Sequence, residues 1–317
     1  MDLHEIQGIG QRVINNINKV IVGKEPVIEL VLVALLCEGH VLIEDVPGIG
    51  KTTLAKATAR SLGCTFRRIQ FTPDLLPSDV TGIYYFNQKA QEFLFRPGPV
   101  MAQIVLSDEI NRATPRTQSA LLEAMQERQV TVDVETMLLP RPFMVLATQN
   151  PIELEGTFPL PEAQIDRFLL KIKLGYPSEE EENDILLRFE REDPLEMLEA
   201  VTFPEELLAM QEAVRSVMVE ESVRQYIVKI VRATREHQHV DLGVSPRGAL
   251  SLYRSAQALA ALRGRTFVIP DDVKTLTPSV LTHRIMISPQ TRLRGRTPEE
   301  VVSEIVNEVP VPVDELS

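Results

Sequence analysis

Two stretches of this chain could do chemistry on a phosphate group. In the first, the turn Pro47-Gly48-Ile49-Gly50 separates an apolar run, Val41-Leu42-Ile43-Glu44, from Lys51-Thr52-Thr53, which opens a helical pattern. Strand, glycine turn and helix start, in that order, make a phosphate-binding P-loop. Gly48 and Gly50 let the segment from Pro47 to Thr53 close around phosphate oxygens, and the helix N-terminus adds partial positive charge. Lys51 would reach the β- and γ-phosphates, and Thr52 would hold Mg²⁺. Asp45 replaces the motif's first glycine, a position read as tightening the turn without touching phosphate. In the second stretch, the apolar run Ile104-Val105-Leu106-Ser107 ends in Asp108-Glu109. That pattern predicts a buried parallel strand with two carboxylates at its C-terminal end, the edge where open α/β sheets bind ligands. Beside a P-loop, Asp108 would hold Mg²⁺ through water, and Glu109 would orient and polarise an attacking water.

The elements that must position these groups follow from apolar periodicity. Residues 3–20 have roughly helical spacing, interrupted by Gly8 and Gly10, and 26–38 read as a strongly apolar helix. Strands are predicted at 40–44, 65–71, 104–109, 143–148 and 169–174, with a helix at 52–62. The strand at 143–148 ends in Gln149-Asn150, whose amides could bond the γ-phosphate or the attacking water. Residues 84–95 and 129–139 read as hairpins. The aromatics of the first, Tyr84, Tyr85 and Phe86, suit either a core or a projecting contact surface.

After Tyr176-Pro177 the pattern turns helical to about residue 282, with no further strand. The run Glu179–Glu182 starts a helix, where the dipole favours acid; Ser245-Pro246-Arg247 and Pro270-Asp271-Asp272 start two more. His237 and His239, two apart, point to different faces of a helix and read as surface residues, not ligands. The tail beyond Pro310 and Pro312 reads as partly disordered. The division is an α/β domain at 1–177 and a helical domain at 178–317.

A chain of 317 residues suffices for two such domains. A net charge of −12 weighs against sequence-independent nucleic-acid binding, which needs a basic face. Cys37 and Cys64 have neither metal nor redox spacing and read as reduced core thiols. The start MDLHEIQG lacks the basic and apolar regions of a signal peptide, and no apolar run is of membrane length, so a cytoplasmic location is expected.

The ordered set LIEDVPGIGKTTLAKA, SDEINRATPRTQSALLEAMQE, LATQNPIELEGTFPLPEAQIDRF and SPRGALSLYRSAQALAALRGR resembles the MoxR family of AAA+ ATPases over nearly the whole chain. The resemblance implies a P-loop α/β core with a five-stranded parallel sheet and an all-helical lid. It makes 84–95 and 129–139 inserts of the core. It implies Asn150 as sensor 1, Arg167 as an arginine finger and Arg247 as sensor 2, with Arg112 in reserve for the finger. Val22 and Gly23 would line the adenine site. It further implies ATP and Mg²⁺ as cofactors, a hexameric ring, a protein client and a partner with a von Willebrand factor A domain. The function implied is ATP-driven, chaperone-like remodelling or maturation of protein complexes. The alternatives are a subunit of a metal chelatase, a nucleic-acid motor, or a nucleotide-dependent scaffold that hydrolyses little.

Overall fold

Three strands carry side chains that are buried on both faces. They are β1 (Val41–Glu44), β5 (Ile104–Asp108) and β8 (Met144–Gln149), and their apolar residues are all but fully enclosed. Strands apolar on both faces belong inside a parallel sheet covered by helices on each side. The computed structural model, which describes residues 1–133, 135–151, 156–190 and 192–312, places them there. With β2 (Phe66–Gln70) and β9 (Leu170–Ile172) they form a five-stranded, all-parallel sheet in the order β2-β5-β8-β1-β9.

Alternation along the strands divides the core between the two faces. Ile43, Ile104, Leu106, Met144 and Leu146 join one cluster, whereas Leu42, Val105, Val145 and Ala147 join the other. The first face is covered by α1 (Leu3–Ile17), α2 (Glu25–Leu36) and α3 (Lys51–Ser61). The second is covered by α4 (Pro77–Thr81) and α5 (Pro115–Glu127), through Val80, Leu121, Leu122 and Met125. Helix α1 runs unbroken through Gly8 and Gly10, which the sequence predicts as an interruption. Gly10 is instead where α1 meets a later helix: a Cβ there would lie 2.6 Å from Leu262 Cδ2.

Two hairpins leave this core. In the first, β3 (Gly82–Asn87) pairs antiparallel with β4 (Glu92–Pro97). One of its faces is an aromatic ladder, with ring centroids 5.3 Å apart for both Tyr84–Phe95 and Phe86–Phe93. The tip is in solvent, Phe93 being 70% and Phe86 46% exposed. In the second, β6 (Gln129–Val132) pairs with β7 (Glu135–Leu138), and the Tyr84 hydroxyl donates to the Glu135 carboxylate, joining the two hairpins. Phe86→Ser combined with Phe93→Ser should therefore cost no more than about 1 kcal/mol of unfolding free energy, the worth of an exposed aromatic pair. Denaturant unfolding checks this, because core aromatics would cost about 3–5 kcal/mol each.

The chain enters its second half through the short helix α6 (Glu162–Ile165) and β9. Helix α7 (Glu179–Arg188) is started by a Ser178–Glu181 capping box. Helices α8 (Pro204–Val214), α9 (Glu221–Glu236), α10 (Pro246–Leu262) and α11 (Pro270–Leu281) follow, then α12 (Pro289–Leu293) and α13 (Pro298–Glu308). The small residues of α10, Ala256, Ala258, Ala260 and Ala261, are fully buried and allow close packing.

Two expectations for this half need correction. A pair of antiparallel strands, β10 (Val240–Leu242) and β11 (Met286–Ile287), lies among the helices. Segments of three and two residues are too short to carry a readable alternation. His237 and His239 are also not on a helix, because α9 ends at Glu236 and the chain then turns, the Val240 N–H donating to the His237 carbonyl at 3.0 Å, with the two rings 5.3 Å apart. Residues 313–317 of the predicted disordered tail lie outside the described residues.

Candidate functional site

The P-loop joins β1 to α3 at the C-terminal edge of the sheet. Gly48 (φ +85°) and Gly50 (φ +90°) are both left-handed, a conformation that costs glycine little. A Cβ at either would meet no described residue within 4 Å, so the turn borders open space. Among the described residues no side chain caps the N-terminus of α3, which leaves its first N–H groups facing that space.

Pro47, Gly48, Gly50, Lys51, Thr52, Thr53, Asp108, Glu109 and Asn150 line one cavity of about 430 Å³. The P-loop and the two strand-end carboxylates, apart in sequence, thus converge. Lys51 Nζ donates to the Asp45 carbonyl at 2.7 Å. Burial lowers the Lys51 pKa from the usual lysine range, and the carboxylates of Asp108, Asp45 and Glu109 pull it back up.

A second cavity of about 370 Å³ shares Pro47, Gly48, Gly50 and Thr53 with the first. Its walls are largely apolar, with Val22, Ile49, Tyr176, Ile185 and Phe189 among them. A polar chamber opening into an apolar one is the shape that triphosphate and base require. Gly23, expected beside Val22, is not part of this wall. It is left-handed (φ +69°), and a Cβ there would collide with Glu181, 1.7 Å from Oε1.

Thr148 holds the Asp108 carboxylate and the Glu109 backbone, a role the sequence does not reveal. Its fully buried hydroxyl accepts from the Glu109 N–H at 2.8 Å and donates to Asp108 Oδ1 at 2.6 Å. Glu109 is left-handed (φ +56°), a costly conformation for a non-glycine residue that recurs at functional sites. Its Oε2 accepts from Gln70 Nε2 at 2.9 Å and lies 3.4 Å from Arg112 Nε, so Arg112 sits against Glu109 of its own chain. Arg68 also lines the cavity and grips Asp108 Oδ2 through Nη2 at 2.6 Å and Nε at 3.2 Å.

Asp45 does more than tighten the turn. Its Oδ2 accepts from the backbone N–H groups of Leu174 and Gly175 at 2.8 and 2.7 Å, pinning the P-loop to the exit of β9.

Two predicted residues lie elsewhere. Arg167 lines neither chamber and sits in a separate recess with Glu123, Gln126 and Glu127 of α5, where its Nη1 donates to the Leu122 carbonyl at 3.0 Å. Arg247, at the start of α10, also lines neither chamber; its side chain is 55% exposed and its Nη1 is 3.5 Å from Asp166 Oδ2.

Thr52 and Asp108 offer a hydroxyl and a carboxylate to one cavity. Mg²⁺ at nucleotide sites takes one or two such hard oxygens and completes its shell with phosphate and water. The donor set therefore fits Mg²⁺.

Residues 40–170 match the profile described as ATPase family associated with various cellular activities (AAA), and residues 232–305 match the AAA lid domain. The chain is 54% identical to "Uncharacterized protein YeaC" of Bacillus subtilis, covering 98% of this chain and 97% of that one. It is 43% identical to "Chaperone MoxR1" of Mycobacterium tuberculosis, over 95% of this chain and 82% of the relative. A crystal structure from Cytophaga hutchinsonii, described as that of a candidate ATPase, superposes with a TM-score of 0.92 at 36% identity, covering 98% and 97% of the two chains.

Proposed function

The chain belongs to the MoxR family of AAA+ ATPases, and from that premise we propose that it binds and hydrolyses ATP with Mg²⁺ in a ring oligomer. The observation that carries this reading is the meeting of Lys51, Thr52, Asp108, Glu109 and Asn150 around one cavity that opens into an apolar chamber. Phosphoryl transfer to water needs positioning and charge stabilisation more than covalent chemistry.

In this reading the P-loop from Pro47 to Thr53 wraps the phosphates and Lys51 reaches the β- and γ-oxygens. The wall around Val22, with Gly23 behind it, receives the adenine. Mg²⁺, held by Thr52 and Asp108, supplies positive charge against the phosphate oxygens. Glu109 orients and polarises the attacking water, and Asn150 holds that water or the γ-phosphate.

Arg167 and Arg247 line neither chamber of their own chain, and that placement supports work between subunits for Arg167. We place the hinge between the core and the lid at Tyr176–Pro177, where residues of the apolar chamber connect the two. Hydrolysis would change the lid angle and move the two hairpins against a protein client. A hexamer, a partner with a von Willebrand factor A domain, remodelling of protein complexes and a cytoplasmic location complete the proposal. No described helix is long and apolar enough to cross a membrane.

Turnover measured against protein concentration, with mass followed by light scattering, tests the ring. ATP hydrolysis per subunit should rise steeply as subunits associate. A dilute monomer with full turnover per subunit would overturn the oligomeric site.

A further inference from the structure

We propose that Arg68 is a positioning residue that Mg²⁺ displaces from Asp108, and that its departure removes the bond that orients Gln70 toward Glu109. This rests on the assignment of Asp108 to the metal given above.

Asp108 is only 14% exposed in its side chain, and both of its oxygens are engaged: Thr148 Oγ1 donates to Oδ1, and the Arg68 guanidinium covers Oδ2. A divalent cation, or a water of its shell that donates to Asp108, needs the oxygen that Arg68 now holds. Cation and guanidinium compete for one carboxylate face, because two positive groups on the same oxygen repel each other.

Arg68 can leave cheaply. Its side chain is 46% exposed, its anchor on β2 is an edge strand, and an arginine half in water regains hydration when it lets go. Asp108, less exposed and fixed by Thr148, stays in place.

The same Nη2 that grips Asp108 donates to Gln70 Oε1 at 2.6 Å. That bond sets which way the Gln70 amide faces, so that its Nε2 donates to Glu109 Oε2 at 2.9 Å. The parallel register that puts Gln70 opposite Asp108 aligns the chain of bonds from metal carboxylate to base. Without metal, Arg68 therefore neutralises Asp108 and keeps Glu109 tethered. With Asp108 turned to metal, Gln70 loses the partner that fixed its amide, and the Glu109 carboxylate keeps Arg112 while its Gln70 contact weakens.

The test titrates Mg²⁺ into the full chain while the affinity for a fluorescent ADP analogue is measured, which needs no turnover. Arg68→Gln removes the competitor, so the Mg²⁺ concentration that half-tightens nucleotide binding should fall by about 1.5-fold to fivefold, the range for a partly exposed ion pair. In an Asp108→Asn background, Arg68→Gln should leave that midpoint unchanged, since the two groups act on each other. A midpoint unmoved by Arg68→Gln in the parent overturns the inference, and so does an equal shift in both backgrounds, which would indicate only a diffuse field. If the parent binds the analogue with no response to Mg²⁺, the metal assignment itself fails, and that result is distinct from both.

Discussion

Glu109→Gln should bind ATP as tightly as the parent and turn it over at least ~10²-fold more slowly, the usual loss when a general base is removed. The P-loop is untouched by the change, and Lys51 and Thr52 remain in the cavity with Asn150. Glutamine fills the same space but cannot polarise a water. Its amide would also meet the Gln70 and Arg112 donors with one oxygen instead of a carboxylate. Binding is read by calorimetry and turnover by phosphate release. Turnover equal to the parent would remove Glu109 from the mechanism and favour a nucleotide-dependent scaffold.

Arg167→Ala should leave nucleotide affinity nearly unchanged and lower turnover by roughly 10³-fold, the low end for an arginine that stabilises phosphoryl transfer across an interface. The recess around Arg167 contains no P-loop residue, so loss of the guanidinium does not disturb the binding chambers of its own chain. Mixing Arg167→Ala with Lys51→Ala should recover part of the activity. At a mixed interface the first variant supplies an intact P-loop and the second an intact arginine. Mixtures shown to co-assemble without recovery would place Arg167 in a structural role, fixing α5 through the Leu122 carbonyl.

The contrast between these residues and those that position them shows what a linear reading can reach. Asp108 and Glu109 were legible because they sit where a short apolar run stops, and Lys51 and Thr52 because a glycine turn separates such a run from a helix start; a buried parallel strand needs only such a run. The five-stranded sheet was legible for the same reason. Thr148, Gln70 and Arg68 carry no comparable signal. Their roles depend on which strands lie side by side: Gln70 faces Asp108 only because β2 pairs with β5, and Thr148 reaches the Asp108 carboxylate and the Glu109 N–H only because β8 lies on the other side. Asp45 read as a turn residue because its partners, the Leu174 and Gly175 amides, lie more than a hundred positions away. Gly10 looked like a break in α1 because its reason, Leu262, lies at the far end of α10. Strands β10 and β11 are held by each other and by the helices around them rather than by any pattern of their own.

Phosphate release from ATP by the purified chain in excess Mg²⁺, run beside Lys51→Ala, tests the central claim most directly. The nucleotide site described here predicts steady release by the parent, and from Lys51→Ala neither release nor detectable ATP binding. Equal release from both proteins, or a parent that binds no ATP at millimolar concentration, would contradict it.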